Sequence, residues 1–224
     1  MNAHLAAVLW DMDGTLIDTE PFWIAAEIEL VEAHGGVWTH EDGLAMVGNP
    51  MLVSAKALAA RGVDLPHDEI VDFLNGRVAA GVAAGIPWQP GARELLEAVH
   101  AARIPMALVT SSFAVLADPF AAAVGLFDAV VSGDEVSHPK PAPEPYLLAA
   151  QRLGVDVTTC IAVEDSRSGI ASAVASGART IAVEVHQAVA PRPGLSRVAS
   201  LADVLLTDLL RVAEGDVLDL REAG

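Results

Sequence analysis

Five short, largely apolar runs are spaced along the chain, and helical periodicity occurs in the stretches between them. Leu5–Trp10, Ile104–Val109, Asp128–Val131, Thr159–Val163 and Arg179–Val183 each span only four to six residues. That is the length and texture of strands buried on both faces of a parallel sheet. Helical patterns over 91–103, 113–124, 143–153 and 167–176 fall between the runs. Strand and helix in alternation predict an α/β fold, a Rossmann-like doubly wound parallel sheet with right-handed crossovers.

One interval breaks the alternation. Between the first run and the second, helical periodicity over Phe22–His34, Pro50–Arg61 and His67–Ala83 occurs with no convincing strand. This reads as an inserted α-helical domain at 19–87, with the α/β core formed by 1–18 and 88–224. Asp18–Pro21 and Gly85–Gly91 are rich in residues that bend chains and are the expected hinges. A final amphipathic helix is expected near Ser200–Ala213, with frayed residues after Glu214.

Composition bounds the function. Among 224 residues, 53% are apolar and the mean hydropathy is +0.43, which argues for a packed globular protein despite a net charge of −17. Thirteen basic residues scattered among 30 acidic ones exclude a nucleic-acid or anionic-membrane partner. No run approaches the roughly 18 apolar residues of a membrane span. The N-terminal apolar stretch lacks a basic region and runs straight into Asp11, so the expectation is a cytoplasmic protein. A single cysteine, Cys160, leaves no disulfide framework and no multi-thiolate metal site.

The chemistry sits where the apolar runs end. The first run stops at Asp11-Met-Asp13-Gly14-Thr15. Two carboxylates spaced i, i+2 on extended chain share one side, at the carboxyl edge of the sheet where such folds bind ligands. Groups that close repel unless a cation or a shared proton intervenes. The second run ends in Thr110-Ser111-Ser112 and opens a helix; this reads as a phosphate cradle or simply as a helix cap. Lys140 is boxed between Pro139 and Pro141, a restrained backbone suited to a cation that must be placed accurately. The fourth run ends in Glu164-Asp165-Ser166 before another helix start. Oxygen ligands with no His/Cys cluster point to Mg²⁺. In a parallel fold these strand ends meet on one edge as Mg²⁺ plus phosphate chemistry.

These four segments, in this order, resemble the motifs of the haloacid dehalogenase-like hydrolase superfamily. The helical insertion resembles its C1-type cap, and Lys140–Tyr146 and Glu164–Gly169 resemble the branch of β-phosphoglucomutases, sugar-phosphate phosphatases and phosphoglycolate phosphatases. Asp13 separates the chain from dehalogenases, which lack that second acid. The resemblance implies that Asp11 is the nucleophile forming an aspartyl-phosphate and that Asp13 is the general acid and base. It implies Mg²⁺ held by Asp11, the Asp13 carbonyl and Asp165, with Glu164 reached through water. Thr110 and the Ser111 N–H would hold the phosphoryl oxygens, and Lys140 would neutralise charge on Asp11 and the phosphate.

The cap would carry substrate choice. Glu20, Trp23, Asn49 in the Val47-Gly48-Asn49 loop, and Arg77 are the candidate substrate contacts by resemblance. Each has a plainer reading as a helix cap, a packing residue or a solvated charge. Mutase-like members carry an arginine shortly after the loop glycine, where this chain has Met51 and no basic residue before Lys56. The expectation is therefore a Mg²⁺-dependent phosphatase of a small phosphorylated metabolite, working as a monomer or small homo-oligomer, with a phosphomutase as the alternative. A receiver-like phospho-switch is about half this length and lacks the insertion. An idle metabolite-binding relative would not need a complete motif set.

Overall fold

The computed structural model describes residues 5–47, 49, 51–185 and 188–221. The chain divides into two compact units, Met1–Asp18 with Trp88–Gly224, and Thr19–Pro87. The first is built on seven parallel strands: β1 (Ala7–Trp10), β2 (Met106–Val109), β3 (Ala129–Val131), β4 (Cys160–Glu164), β5 (Arg179–Val183), β6 (Leu195–Val198) and β7 (Asp219–Leu220). Their order is β3-β2-β1-β4-β5-β6-β7. β1 lies at the point where the order reverses, paired with β2 on one side and β4 on the other. Ligands bind outside the carboxyl ends of strands at such a switch point.

The apolar runs form strands because both faces of the sheet are covered. β1, β2 and β4 are buried at every position. On one face Ala7, Leu9, Ala107, Val109 and Ala162 pack with Tyr146 and Ala149 of the helix Glu144–Leu153 and Ala173 of the helix Arg167–Ser176. Each fully buried Leu, Ile or Val contributes about 1.5–3 kcal/mol. The helices Ala92–Ala101, Ala114–Val124 and Leu206–Glu214 complete the α/β core. The expectation of fraying after Glu214 is wrong: Leu218 is buried, and Asp219 and Leu220 pair with Arg197 and Val198. β6 is absent from the apolar pattern because it carries Ser196 and Arg197. Both are buried and satisfied, Ser196 Oγ by the Leu218 N–H, and Arg197 by donating to Asp219 and the Val189 carbonyl.

Among the described residues, the second unit has four helices, Glu20–Ala33, His40–Leu44, Met51–Ala60 and His67–Ala84. The short second one escapes the periodicity but is nucleated by a capping box, in which Thr39 Oγ1 accepts from the Asp42 N–H and Asp42 Oδ2 from the Thr39 N–H. It lies so close to the first that a Cβ at Gly43 would press on Ile24 and Glu27. No helix among the described residues is long and apolar enough to cross a membrane.

Inside this unit Glu27 is buried and its Oε2 accepts from the Trp38 indole N–H at 3.0 Å. Burial pushes the Glu27 carboxyl up to about 7, against the opposing pull of that hydrogen bond. A carboxyl raised on folding binds more protons in the folded state. Its contribution is therefore whole below the ordinary value of 4.5 and is lost as pH rises through about 7. The loss is on the order of 3 kcal/mol. Thermal melts of wild type and Glu27→Gln across that range check this: the variant is expected to melt higher above neutrality, and the gap should close in acid.

Candidate active site

The carboxyl ends of β1, β2 and β4 and the loop after β3 supply the site. Asp11 follows the last residue of β1, and its backbone N–H donates to Val163 of β4, which holds the chain extended into the carboxylate. Gly14 then turns with φ +86°, so that its N–H reaches the Ile17 carbonyl. A Cβ at Gly14 would overlap the Asp165 carboxylate, so the position requires glycine on two counts. Thr15 Oγ1 donates to Asp165 Oδ1 at 3.0 Å.

Lys140 arrives from the loop between β3 and the helix Glu144–Leu153. Its side chain is 2% exposed, and Nζ donates to Asp11 Oδ1 at 2.7 Å, to Glu164 Oε1 at 2.5 Å and to the Val109 carbonyl at 2.9 Å. All three ammonium protons are committed. Glu164 ends β4, is fully buried, and also accepts from the Tyr146 phenol and, through Oε2, from Ser166. Ser166 caps the helix Arg167–Ser176 by accepting from the Gly169 N–H.

Asp11, Glu164 and Asp165 bring one carboxylate oxygen each to within 4.8 Å of one another. Burial pushes all three carboxyls above their ordinary range; repulsion from Asp13 adds to it at Asp11, from Asp11 at Glu164, and from Asp11 and Glu164 at Asp165. Burial pulls the Lys140 ammonium the other way, but the charges and hydrogen bonds of Asp11 and Glu164 outweigh it and hold the group firmly protonated. Three carboxyl groups face one ammonium in a low-dielectric pocket, an imbalance that a further positive charge would relieve. An all-oxygen donor set with that imbalance fits a hard dication.

Asp13 is not one of these three acids, yet it lies near enough to raise the Asp11 carboxyl. Its Oδ2 accepts from the Ser112 hydroxyl at 2.7 Å and the Thr110 hydroxyl at 3.2 Å, and Thr110 Oγ1 accepts in turn from the Ser112 N–H. Ser111 lies next to them, exposed, with its carbonyl so close to Gly133 that a side chain there would collide with it.

Of the residues picked out from sequence, Asp11, Asp13, Thr110, Ser111, Lys140, Glu164 and Asp165 all lie in the α/β unit at these strand ends. Glu20, Trp23, Asn49 and Arg77 lie in the helical unit. Glu20 opens the first helix, Trp23 is half-buried, and Asn49 is exposed and donates to the Ala45 carbonyl. Arg77 pairs with Glu29 and lies over the Phe73 ring. Gly48 and Pro50 of the same loop fall outside the described residues. The sequence reading missed Thr15, Ser112, Tyr146 and Ser166 as donors to the acidic groups. Thr15 and Ser112 stand inside motifs already singled out, whereas nothing local marks Tyr146.

A model of the haloacid dehalogenase-like hydrolases matches residues 5–177. The chain belongs to that family. Among similar proteins, fructose-1-phosphate phosphatase YqaB of Escherichia coli (strain K12) is 33% identical over 83% of this chain and 100% of its own length. Hexitol phosphatase B of the same strain is 29% identical over 96% and 97%. A solved structure of mutant CbbY from Rhodobacter sphaeroides with xylulose-(1,5)bisphosphate superposes with a TM-score of 0.77, at 27% identity over 92% of this chain and 99% of that one.

Gly169 offers a test of the acidic cluster that leaves the acids themselves in place. A Cβ there would overlap the Glu164 carboxylate, while the backbone, lying inside a helix, carries no strain of its own. Gly169→Ala is expected to fold and to lose divalent-cation affinity by roughly tenfold or more, as displaced outer-shell partners do. Calorimetric titration with Mg²⁺ reads this out.

Proposed function

We propose that this chain is a Mg²⁺-dependent phosphomonoester hydrolase, acting on a small sugar or polyol phosphate through an aspartyl-phosphate on Asp11. The carrying observation is the shared ammonium: Lys140 sits on Asp11 Oδ1 beside two further buried acids. That leaves Asp11 paired with the ammonium through Oδ1, with its other oxygen to attack. Asp11 displaces the alkoxide in line, so one hard substitution becomes two easier ones. Asp13, in its hydroxyl-lined setting, gives its proton to the leaving oxygen and later takes one from the attacking water. Thr110 has a single proton to donate, and here it goes to Asp13. Turning it toward a phosphoryl oxygen releases one of the bonds that hold Asp13, coupling phosphate capture to the availability of the acid.

Asp11, Asp165 and the Asp13 carbonyl, with Glu164 behind them, would hold Mg²⁺. The cation supplies charge neutralisation for the phosphoryl group. Lys140 holds the nucleophile, and Thr110 with the Ser111 N–H receives the phosphoryl oxygens. Phosphatase relatives of fructose 1-phosphate and hexitol phosphates support the substrate class. Asp11→Asn is expected to abolish Mg²⁺-dependent phosphate release from p-nitrophenyl phosphate, and a variant turning over at the wild-type rate would overturn the assignment.

The helical unit carries ten acidic residues against Lys56, Arg61 and Arg77, a balance of −7 over 19–87. Arg61 is already paired with Asp42, and Arg77 with Glu29. Such a unit suits a substrate with one phosphate and a neutral hydroxylated body. On a panel of sugar, polyol, nucleotide and glycolate phosphates, sugar and polyol monophosphates are expected to exceed the matching bisphosphates in kcat/KM by at least about tenfold, a difference of ~1.4 kcal/mol in transition-state binding. Interconversion of sugar 1- and 6-phosphates without phosphate release would establish a mutase instead.

A further inference from the structure

Tyr146 has no part in the chemistry described above, yet it touches two of the groups that perform it. It is the third residue of the helix Glu144–Leu153 and is fully buried. The buried face of that helix is otherwise apolar, formed by Pro145, Ala149 and Ala150. Phenylalanine would fill the same volume without a polar atom to satisfy. A buried hydroxyl is costly unless it is bonded, and this one donates to Glu164 Oε1 at 2.7 Å. The same oxygen receives Lys140 Nζ at 2.5 Å, and Nζ lies 5.3 Å from the centre of the Tyr146 ring.

These contacts constrain the acid that has the least freedom to be misplaced. Lys140 has no proton left for a second bond to Glu164, since the others go to Asp11 and Val109. With only the ammonium on Oε1, the carboxylate could rotate about its last torsion and follow the lysine. The phenol supplies a second donor at that oxygen, and Ser166 holds Oε2 at 3.2 Å. The carboxylate plane is then defined from both ends. The ring face meanwhile keeps the ammonium from swinging away from Asp11, as cation–π attraction does in a desolvated site.

We infer that Tyr146 is a positioning residue for the cation site: its hydroxyl orients Glu164, and its ring seats Lys140. The inference rests on the proposed metal-dependent reading of the site and assigns a function to a residue outside the acidic motifs.

Tyr146→Phe keeps the ring and its volume and removes only the donor. The experiment titrates Mg²⁺ into full-length protein by calorimetry, without substrate, for wild type, Tyr146→Phe, Glu164→Gln and the double variant. Steady-state kinetics on p-nitrophenyl phosphate run alongside. The expected result is a roughly tenfold weaker Mg²⁺ affinity for Tyr146→Phe, in the range seen when an outer-shell partner is lost. Excess Mg²⁺ should restore much of kcat, and KM should stay within about twofold, because Tyr146 is assigned to the cation site alone. In the Glu164→Gln background the tyrosine change should add nothing, because its effect passes through that carboxylate. A purely packing role would leave Mg²⁺ affinity unchanged in Tyr146→Phe or give additive losses in the double variant, and either result overturns the inference. So does a wild type that binds no Mg²⁺. A wild type that binds Mg²⁺ but hydrolyses no phosphomonoester would overturn the proposed reaction. The calorimetric cycle would still decide the role of Tyr146.

Discussion

A single buried ammonium ties the α/β unit together at its chemical end. Lys140 bonds Asp11 beyond β1, the last carbonyl of β2, and Glu164 at the end of β4, and it reaches them from the loop after β3. Four adjacent strand ends are thus joined through one nitrogen. Charges this deeply buried are costly to desolvate and are tolerated only when every partner is present. Removing the lysine would strand two carboxylates, and removing either carboxylate would unbalance the lysine. The site is therefore cooperative: its geometry holds as a whole, with little independent latitude for any member.

That arrangement also resolves an apparent conflict of charge. A chain with a net charge of −17, with three of its acids gathered at its sheet edge, would repel a phosphate ester. The excess of carboxylates over ammonium at the cluster is what makes a hard dication welcome there. With the proposed dication beside the ammonium, this acidic locus would accept an anion. Asp13 is bonded to the Ser112 and Thr110 hydroxyls, a setting that suits the proposed split between proton transfer and nucleophilic attack.

Much of this was legible in the residues. The runs that became β1, β2 and β4 could be read because a strand buried on both faces has to be apolar throughout, and the partly covered β3 and β5 keep enough of that local signature to be read as well. β6 and β7 could not, since Ser196 and Arg197 satisfy their polar groups through Leu218, Val189 and Asp219. Those partners lie eight to 22 residues away in sequence, beyond the reach of any periodicity. The short helix His40–Leu44 was marked by Thr39 and Asp42, but one and a half turns are too few for a periodic pattern to register.

The sequence by itself determined the class of fold and marked the acids that are proposed to react. Both rest on local facts: short apolar runs, and carboxylates, hydroxyls and a lysine placed where those runs end. Only the tertiary structure decided how these groups divide the work. It brought Lys140 to Glu164 as well as to Asp11, kept Asp13 on Ser112 and Thr110, and placed the Tyr146 hydroxyl on the oxygen that Lys140 also holds. Each of those bonds joins residues between 18 and 129 positions apart. Hydrogen-bond partners are chosen by distance in space, and at these separations only the packed sheet defines that distance.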